Sequence, residues 1–95
     1  MADYTLSESA REDLKNIYRF GFEHFGEQQA ESYFNGLIAC FDEIVKNPLQ
    51  FQRIPEVGVD YRRCVYISDS IYFRVKNKKI EIMAIIGRQD TITRF

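Results

Sequence analysis

The fold turns on one segment: Tyr61-Arg62-Arg63-Cys64-Val65-Tyr66-Ile67, then Asp69-Ser70, then Ile71-Tyr72-Phe73-Arg74-Val75-Lys76, then Asn77-Lys78, then Ile80-Glu81-Ile82-Met83-Ala84-Ile85-Ile86. Its three runs are aromatic and β-branched and are separated by polar pairs, the pattern of three strands joined by two hairpins. Closing both pairs as two-residue turns sets Ser68 against Ile71 and Lys76 against Lys79, and so predicts the whole register. Arg63 then faces Lys76, Val65 faces Arg74, Ile67 faces Tyr72, Arg74 also faces Glu81, and Tyr72 faces Met83, all on one side of the sheet. Cys64, Tyr66, Ile71, Phe73, Val75, Ile80, Ile82, Ala84 and Ile86 fall on the other side. That side is almost wholly apolar and needs a cover of helices.

The cover precedes the strands. Residues 2–6 have the look of a brief strand that hands over to a helix capped by the Ser7 hydroxyl. Ala10, Leu14, Ile17, Tyr18 and Gly21 recur at helical spacing and give that helix one inward stripe as it runs towards Phe25. Gly26 ends it. From Glu27 to Lys46 a cleaner stripe of Ala30, Tyr33, Phe34, Leu37, Ile38, Phe41, Ile44 and Val45 predicts a second helix, which Asn47-Pro48 stops. So short a connection at Gly26 predicts an antiparallel helical hairpin. Phe20, Phe22 and Phe25 crowd the end of the first helix, where one core cannot take them all, so at least one should face a partner. Pro48 to Asp60 has no sustained period and reads as an ordered loop anchored by Leu49, Phe51, Ile54 and Val57. The expected fold is α+β, in the order β-α-α-β-β-β: an antiparallel sheet, its first strand beside its last, covered on one face by a helical hairpin. A single domain over residues 1–95 is expected, because the chain carries no repeat, linker or low-complexity tract.

Charge is unevenly distributed. Residues 1–60 hold five Lys or Arg against eleven Asp or Glu, and residues 61–95 hold eight against three, although the formal net charge is only -1. Solvated helices account for part of such a split; a basic sheet surface that attracts an acidic partner or a phosphate backbone is the functional alternative. The first residues show no basic stretch followed by an apolar core, and no apolar run approaches the ~18–20 residues of a membrane helix. The expectation is a cytoplasmic protein with no membrane association.

Few chemistries have the residues they need. Cys40 and Cys64 sit at apolar positions and read as buried free thiols rather than a disulfide or metal pair. The one histidine, His24, has no partner at ligand spacing and reads as a solvated surface residue, so no metal is expected. The glycines are scattered singly, with no phosphate loop and no cofactor implied. The arginines beside Tyr72 could steady the charge of a phosphoryl transition state. Cleaving RNA also needs a base and an acid that titrate near neutrality. Glu56 and Glu81 are the only nearby bases, and Glu81 faces Arg74. The expectation is therefore a binding surface without catalytic residues. Charge at a strand end also protects an edge from stray pairing, and for Arg62-Arg63 that bland role competes with a functional one.

Leu6-Ser7-x-x-Ala10-x-x-Asp13-Leu14-x-x-Ile17-Tyr18, Ala30-x-x-Tyr33 with Leu37, Asn47-Pro48, Tyr61-Arg62-Arg63 and Gly87-Arg88-Gln89-Asp90 together resemble the ParE toxins of the RelE/ParE type II toxin–antitoxin superfamily. The resemblance covers nearly the whole chain. It implies the β-α-α-β-β-β fold, inhibition of DNA gyrase by protein–protein binding, and neutralisation in a hetero-oligomer with a ParD-like antitoxin of ribbon-helix-helix type. No direct sequence-specific nucleic-acid binding is implied. Carried over residue by residue, it points to Arg63, Tyr72, Arg74, Arg88, Gln89 and Asp90 for target contact. Tyr18, Phe22, Phe25, Arg62, Arg63 and Arg74 are the expected antitoxin contacts. The alternative is a ribosome-dependent mRNA endoribonuclease of RelE type. The chain departs from that pattern at Gly87-Arg88, where such relatives carry catalytic His or Tyr, and departs from many ParE sequences in having Ile86-Gly87 where a histidine often precedes the final Arg-Gln-Asp.

Overall fold

The computed structural model describes residues 4–87. Strand β1 (Tyr4–Leu6) leads into helix α1 (Glu8–Phe25), and Gly26 alone joins it to α2 (Glu27–Lys46). A 3-10 turn (Pro48–Gln50) follows, and then β2 (Gln52–Arg53), β3 (Tyr61–Tyr66), β4 (Asp69–Lys76) and β5 (Lys79–Gly87). The sheet order is β1-β5-β4-β3-β2. All pairs are antiparallel except β1 with β5, which run parallel with Tyr4 opposite Ile80 and Leu6 opposite Ile82. The expected α+β architecture is present, with the two-residue β2 added inside the segment read as a loop.

Gly26 has φ 94°, a conformation that glycine adopts without steric cost and that turns the chain directly from one helix into the next. The helices lie on one face of the sheet and merge with it in a core of Ala10, Leu14, Leu37, Phe41, Ile44, Cys64, Ile71, Phe73, Ile80, Ile82 and Ile85. Two glycines allow close approach. Gly21 lies against Ala30 across the helical hairpin, and a methyl group at Gly36 would overlap the Tyr66 hydroxyl.

Two features of the register differ from expectation. The β3–β4 turn is Ile67-Ser68, not Asp69-Ser70, so Arg63 pairs with Tyr72 and Tyr61 with Arg74. The hairpin is held there by Tyr33 of α2, whose hydroxyl donates to Asp69 Oδ2 at 2.6 Å. Because the slip is an even number of residues, every side chain keeps its face. Between β4 and β5, Lys76 pairs with Lys79 and Arg74 with Glu81 as expected, but a bulge between Tyr72 and Phe73 pairs Tyr72 with Ala84 instead of Met83. Met83 is the extra residue, and beyond it the faces of β5 are exchanged. Ile85 enters the helix-side core, whereas Ala84 and Ile86 join Tyr72, Ile54 and Val57 in a second, smaller core on the opposite face.

The end of β5 runs past the three-residue β1, and α1 satisfies its exposed edge. Ser7 N–H donates to Ile82 O at 2.9 Å. The Ser7 hydroxyl caps the helix by accepting Ala10 N–H at 3.0 Å and donates to the bulged Met83 carbonyl at 2.8 Å. The buried Asp13 carboxylate then accepts Ile85 N–H at 2.9 Å. Replacing Asp13 with alanine leaves that amide buried without its partner. The expected cost is about 1–3 kcal/mol, read as a fall in the urea midpoint together with faster hydrogen exchange at Ile85. Asp13→Asn, which retains an acceptor oxygen, should recover part of both.

Candidate functional site

Arg63 and Arg74 share the sheet face that points away from the helices, as the alternation predicts. Arg74 stands between Tyr61 and Glu81 on neighbouring strands, and its Nη2 donates to Glu81 Oε1 at 2.6 Å. Both side chains of this pair are more than one third exposed, so its net contribution is about 0.2–1 kcal/mol. Its larger consequence is local: the Glu81 carboxylate is already engaged. Arg63 Nη2 donates to Gln52 Oε1 of β2 at 2.9 Å, while its Nε is buried with no hydrogen-bond partner. The short β2 thus orients the guanidinium that the sequence marks as functional.

Tyr72 requires a correction. It lies on the expected face, opposite Arg63, yet only 1% of it is exposed. The segment 54–58 folds over it, tied down by Ile54 N–H to Tyr61 O at 2.9 Å and Tyr61 N–H to Gly58 O at 3.2 Å. Ile54 and Val57 cover the ring. In this conformation Tyr72 lies beneath the arginine face, buried rather than on its surface. Nothing in the sequence period of the loop signals that cover, since a pair of apolar residues in an irregular segment has no unique destination.

Arg62 points to the helix side and binds backbone carbonyls, Phe51 O at 2.8 Å and Leu49 O at 3.4 Å. It fastens the 3-10 turn beneath α2. Arg88, Gln89 and Asp90 lie outside the described residues.

The aromatic flank divides into two surfaces. Tyr18 and Phe22 lie together with Phe34 on the outside of the helical hairpin, with ring centroids 6.3 Å (Tyr18–Phe22) and 6.0 Å (Tyr18–Phe34) apart. They line an open groove of about 870 Å³ with Leu14 and Glu23, and Arg11, Lys15 and Arg19 stand along it. Those cations, one helical turn apart on α1, were not singled out by sequence reasoning, although their spacing of four was legible. Phe25 belongs elsewhere, packed edge-on against Phe20, which also stacks on His24 at 3.9 Å. Phe20, Phe22 and Phe25 are 56%, 49% and 60% exposed. The crowding inferred from sequence therefore leaves all three outside the core.

His24 belongs to the helical layer, on the far side of the sheet from Arg63, and its Nδ1 is within 2.9 Å of Phe20 O. Among the described residues no group of acidic, histidine or cysteine side chains could hold a metal ion. Nor, among them, is any helix long and apolar enough to cross a membrane. Both thiols are held protonated. Burial, reinforced by Cys40, pushes Cys64 up to about 12 from an ordinary 9.0, and burial likewise raises Cys40. That environment disfavours the thiolate form that a cysteine nucleophile needs.

Three comparisons bear on this arrangement. Residues 4–92 match the family model described as ParE toxin of type II toxin-antitoxin system, parDE. A protein named Toxin ParE1 from Caulobacter vibrioides is 30% identical over 86 residues, spanning 90% of this chain and 88% of its own length. Another Toxin ParE1, from Mycobacterium tuberculosis, is 25% identical over 92 residues, spanning 96% and 94%. The fold is that of a solved structure titled "Chromosomal ParDE TA system from P. aeruginosa", with TM-score 0.74 and 22% identity over 92% of this chain and 98% of that one.

The raised thiols give a direct check. A thiol whose folded value exceeds its unfolded one adds stability below the unfolded value and loses it as pH climbs through the folded one, here between 9.0 and about 12. Cys64 should therefore react with iodoacetamide at pH 8 roughly a hundredfold or more slowly in the native protein than in urea. Cys64→Ala should flatten the alkaline decline in stability.

Proposed function

Because the chain belongs to the ParE toxin family of type II toxin–antitoxin systems, we propose that it arrests growth by binding DNA gyrase as a non-enzymatic inhibitor and is neutralised by a cognate ParD-like antitoxin. The observation that carries the binding reading is the state of the arginine face. Arg63 is oriented by Gln52, and of the two candidate bases Glu81 is held by Arg74 at 2.6 Å while Glu56 stands exposed on the 54–58 segment. A ribonuclease would need, besides a base, an acid that titrates near neutrality to protonate the leaving oxygen, and the chain's one histidine, His24, lies in the helical layer. A protein-binding surface needs only the oriented guanidinium groups, which pair well with carboxylates. Arg63 and Arg74 are the proposed target contacts, joined by Arg88, Gln89 and Asp90 of the family motif, with Tyr72 acting as their support. The site of action is the cytoplasm, where gyrase works.

The antitoxin reading rests on the groove of α1. Leu14, Tyr18 and Phe22 offer apolar anchors, and Arg11, Lys15 and Arg19 flank them. An acidic amphipathic segment fits both, its apolar side chains seated in the groove and its carboxylates along the cations. Phe25, on its separate patch with Phe20, is a peripheral contact in this arrangement, and Arg62 acts by fastening the loop.

Purified chain free of antitoxin should inhibit gyrase supercoiling and leave trapped cleavage product, with Arg63→Ala and Arg74→Ala each weakening inhibition at least tenfold. Undiminished supercoiling at lethal dose, or messenger cleavage in a translation extract that the same substitutions abolish, overturns the gyrase reading in favour of a RelE-type nuclease. For the antitoxin complex, Tyr18→Ala or Phe22→Ala should cost about 2 kcal/mol, roughly 30-fold in Kd. High salt should weaken the complex without dissolving it. Affinity indifferent to salt would remove the cations from the interface.

A further inference from the structure

The tip of the β4–β5 hairpin violates two local rules at once. Lys76 and Lys79 are direct cross-strand partners, and like charges so placed repel. Between them the turn residues Asn77 and Lys78 both have positive φ, 53° and 63°, which suits Asn-Gly far better than Asn-Lys. A third ammonium group has thus been placed at the position where glycine would relax the backbone. Residues 76–79 are all exposed. None of the three lysines makes an ion pair among the described residues.

Protection of a sheet edge, the ordinary reason for lysine on a strand, accounts at most for Lys76 and Lys79, since the tip projects past its neighbours, β3 pairing only as far as Arg74 and β1 only from Ile80. It does not account for Lys78, which stands in the turn itself at positive φ. Repulsion and backbone strain retained together at a turn fit a surface whose counter-charge arrives from outside.

We propose that this tip is a contact surface for the phosphate backbone of duplex DNA. The lysines border an open hollow of about 800 Å³ that also includes Arg74, its partner Glu81, Tyr4 and Thr5. Arg74 spends its Nη2 on Glu81 within the same hollow, so the unpaired charge of the hollow is that of the three lysines. What remains is a set of ammonium point charges, tolerant of orientation and suited to a row of phosphates. The large exposed apolar side chains, Phe20, Phe22, Phe25, Leu49, Val59, Val65 and Ile67, are all outside this hollow. An acidic peptide would find charge here but, for apolar contact, only Tyr4, packed on Phe41, and the buried Ile80, whereas backbone binding runs on counterion release and needs no anchor. A single strand would need an aromatic platform, and the Tyr4 ring is occupied edge-on against Phe41, with centroids 5.2 Å apart. The surface reads no sequence, because backbone contacts carry no base information. It stands whether or not gyrase is the target.

The test is fluorescence anisotropy of a labelled mixed-sequence DNA duplex titrated with the full chain, free of antitoxin, over a range of salt. The expected Kd is about 10⁻⁶–10⁻⁴ M, with a log–log salt slope of about -2.7 for three neutralised phosphates. Lys76→Ser/Lys78→Ser/Lys79→Ser should lose at least tenfold in affinity and flatten the slope, while Lys46→Ser/Arg53→Ser changes neither. Lys78→Gly separates contact from folding: it should raise Tm by relaxing the turn and yet reduce the slope by about 0.9. Absence of duplex binding at low salt overturns the proposal, as does a triple variant that binds like the parent, or a Lys78→Gly variant of unchanged slope. So does tighter binding to the same strand unpaired, or to a poly-glutamate peptide that the triple substitution releases.

Discussion

The structure depends on how the far end of β5 is satisfied. A three-residue β1 cannot cover the edge of a nine-residue strand, and an uncovered amide or carbonyl in the core costs about as much as the whole net worth of several hydrogen bonds. Helix α1 closes the gap with its own polar groups, Ser7 at the bulged Met83 carbonyl and Asp13 at the Ile85 amide. Those bonds fix where the first turns of α1 lie on the sheet. Ala10, fully buried between them, packs into the core at that approach. The motif Leu6-Ser7-x-x-Ala10-x-x-Asp13 is therefore a docking device for a helix on a strand edge.

The bulge that Ser7 supports also makes a two-sided protein out of a one-sided pattern. Before it, β5 alternates between helix core and arginine face; after it, Ala84 and Ile86 turn to the arginine side and give the 54–58 segment something to cover. A small second core results, with Tyr72 at its centre. It stiffens the ground on which Arg63 stands, and a side chain held by packing and by Gln52 presents its charge at lower entropic cost on binding. Fold and surface are coupled through one extra residue in one strand.

Charge on this molecule is sorted by element. Arg11, Lys15 and Arg19 line an aromatic groove on α1, Arg63 and Arg74 lie on the strand face, and Lys76, Lys78 and Lys79 crown an interior hairpin. The three groups differ in chemistry. The first mixes cations with apolar anchors, the second offers oriented guanidinium groups, and the third is bare ammonium charge. Different surroundings make one kind of residue fit different partners, which a net charge of -1 conceals.

Much was legible in the chain itself. Period 3.6 over residues 8–46, broken at Gly26 and Asn47-Pro48, determined two helices, and period 2 over residues 61–86 determined the strands, because burying one stripe or one face is a local requirement that each segment answers alone. The shared face of Arg63 and Arg74 followed from parity, which survives an even slip in register. What only the tertiary structure decided were the choices that need a distant partner. Tyr33 of α2 holds Asp69 and so sets the β3–β4 turn; Ser7 and Asp13, more than seventy residues away in sequence, receive the bulged end of β5. The exchange of faces beyond Met83 goes with those long-range bonds, and the covering of Tyr72 by Ile54 and Val57 with the backbone bonds that tie the 54–58 segment to Tyr61. A hydrogen bond closed between remote segments leaves no periodic trace in either of them, and for that reason the fold could be read from the chain while the exposure of its site could not.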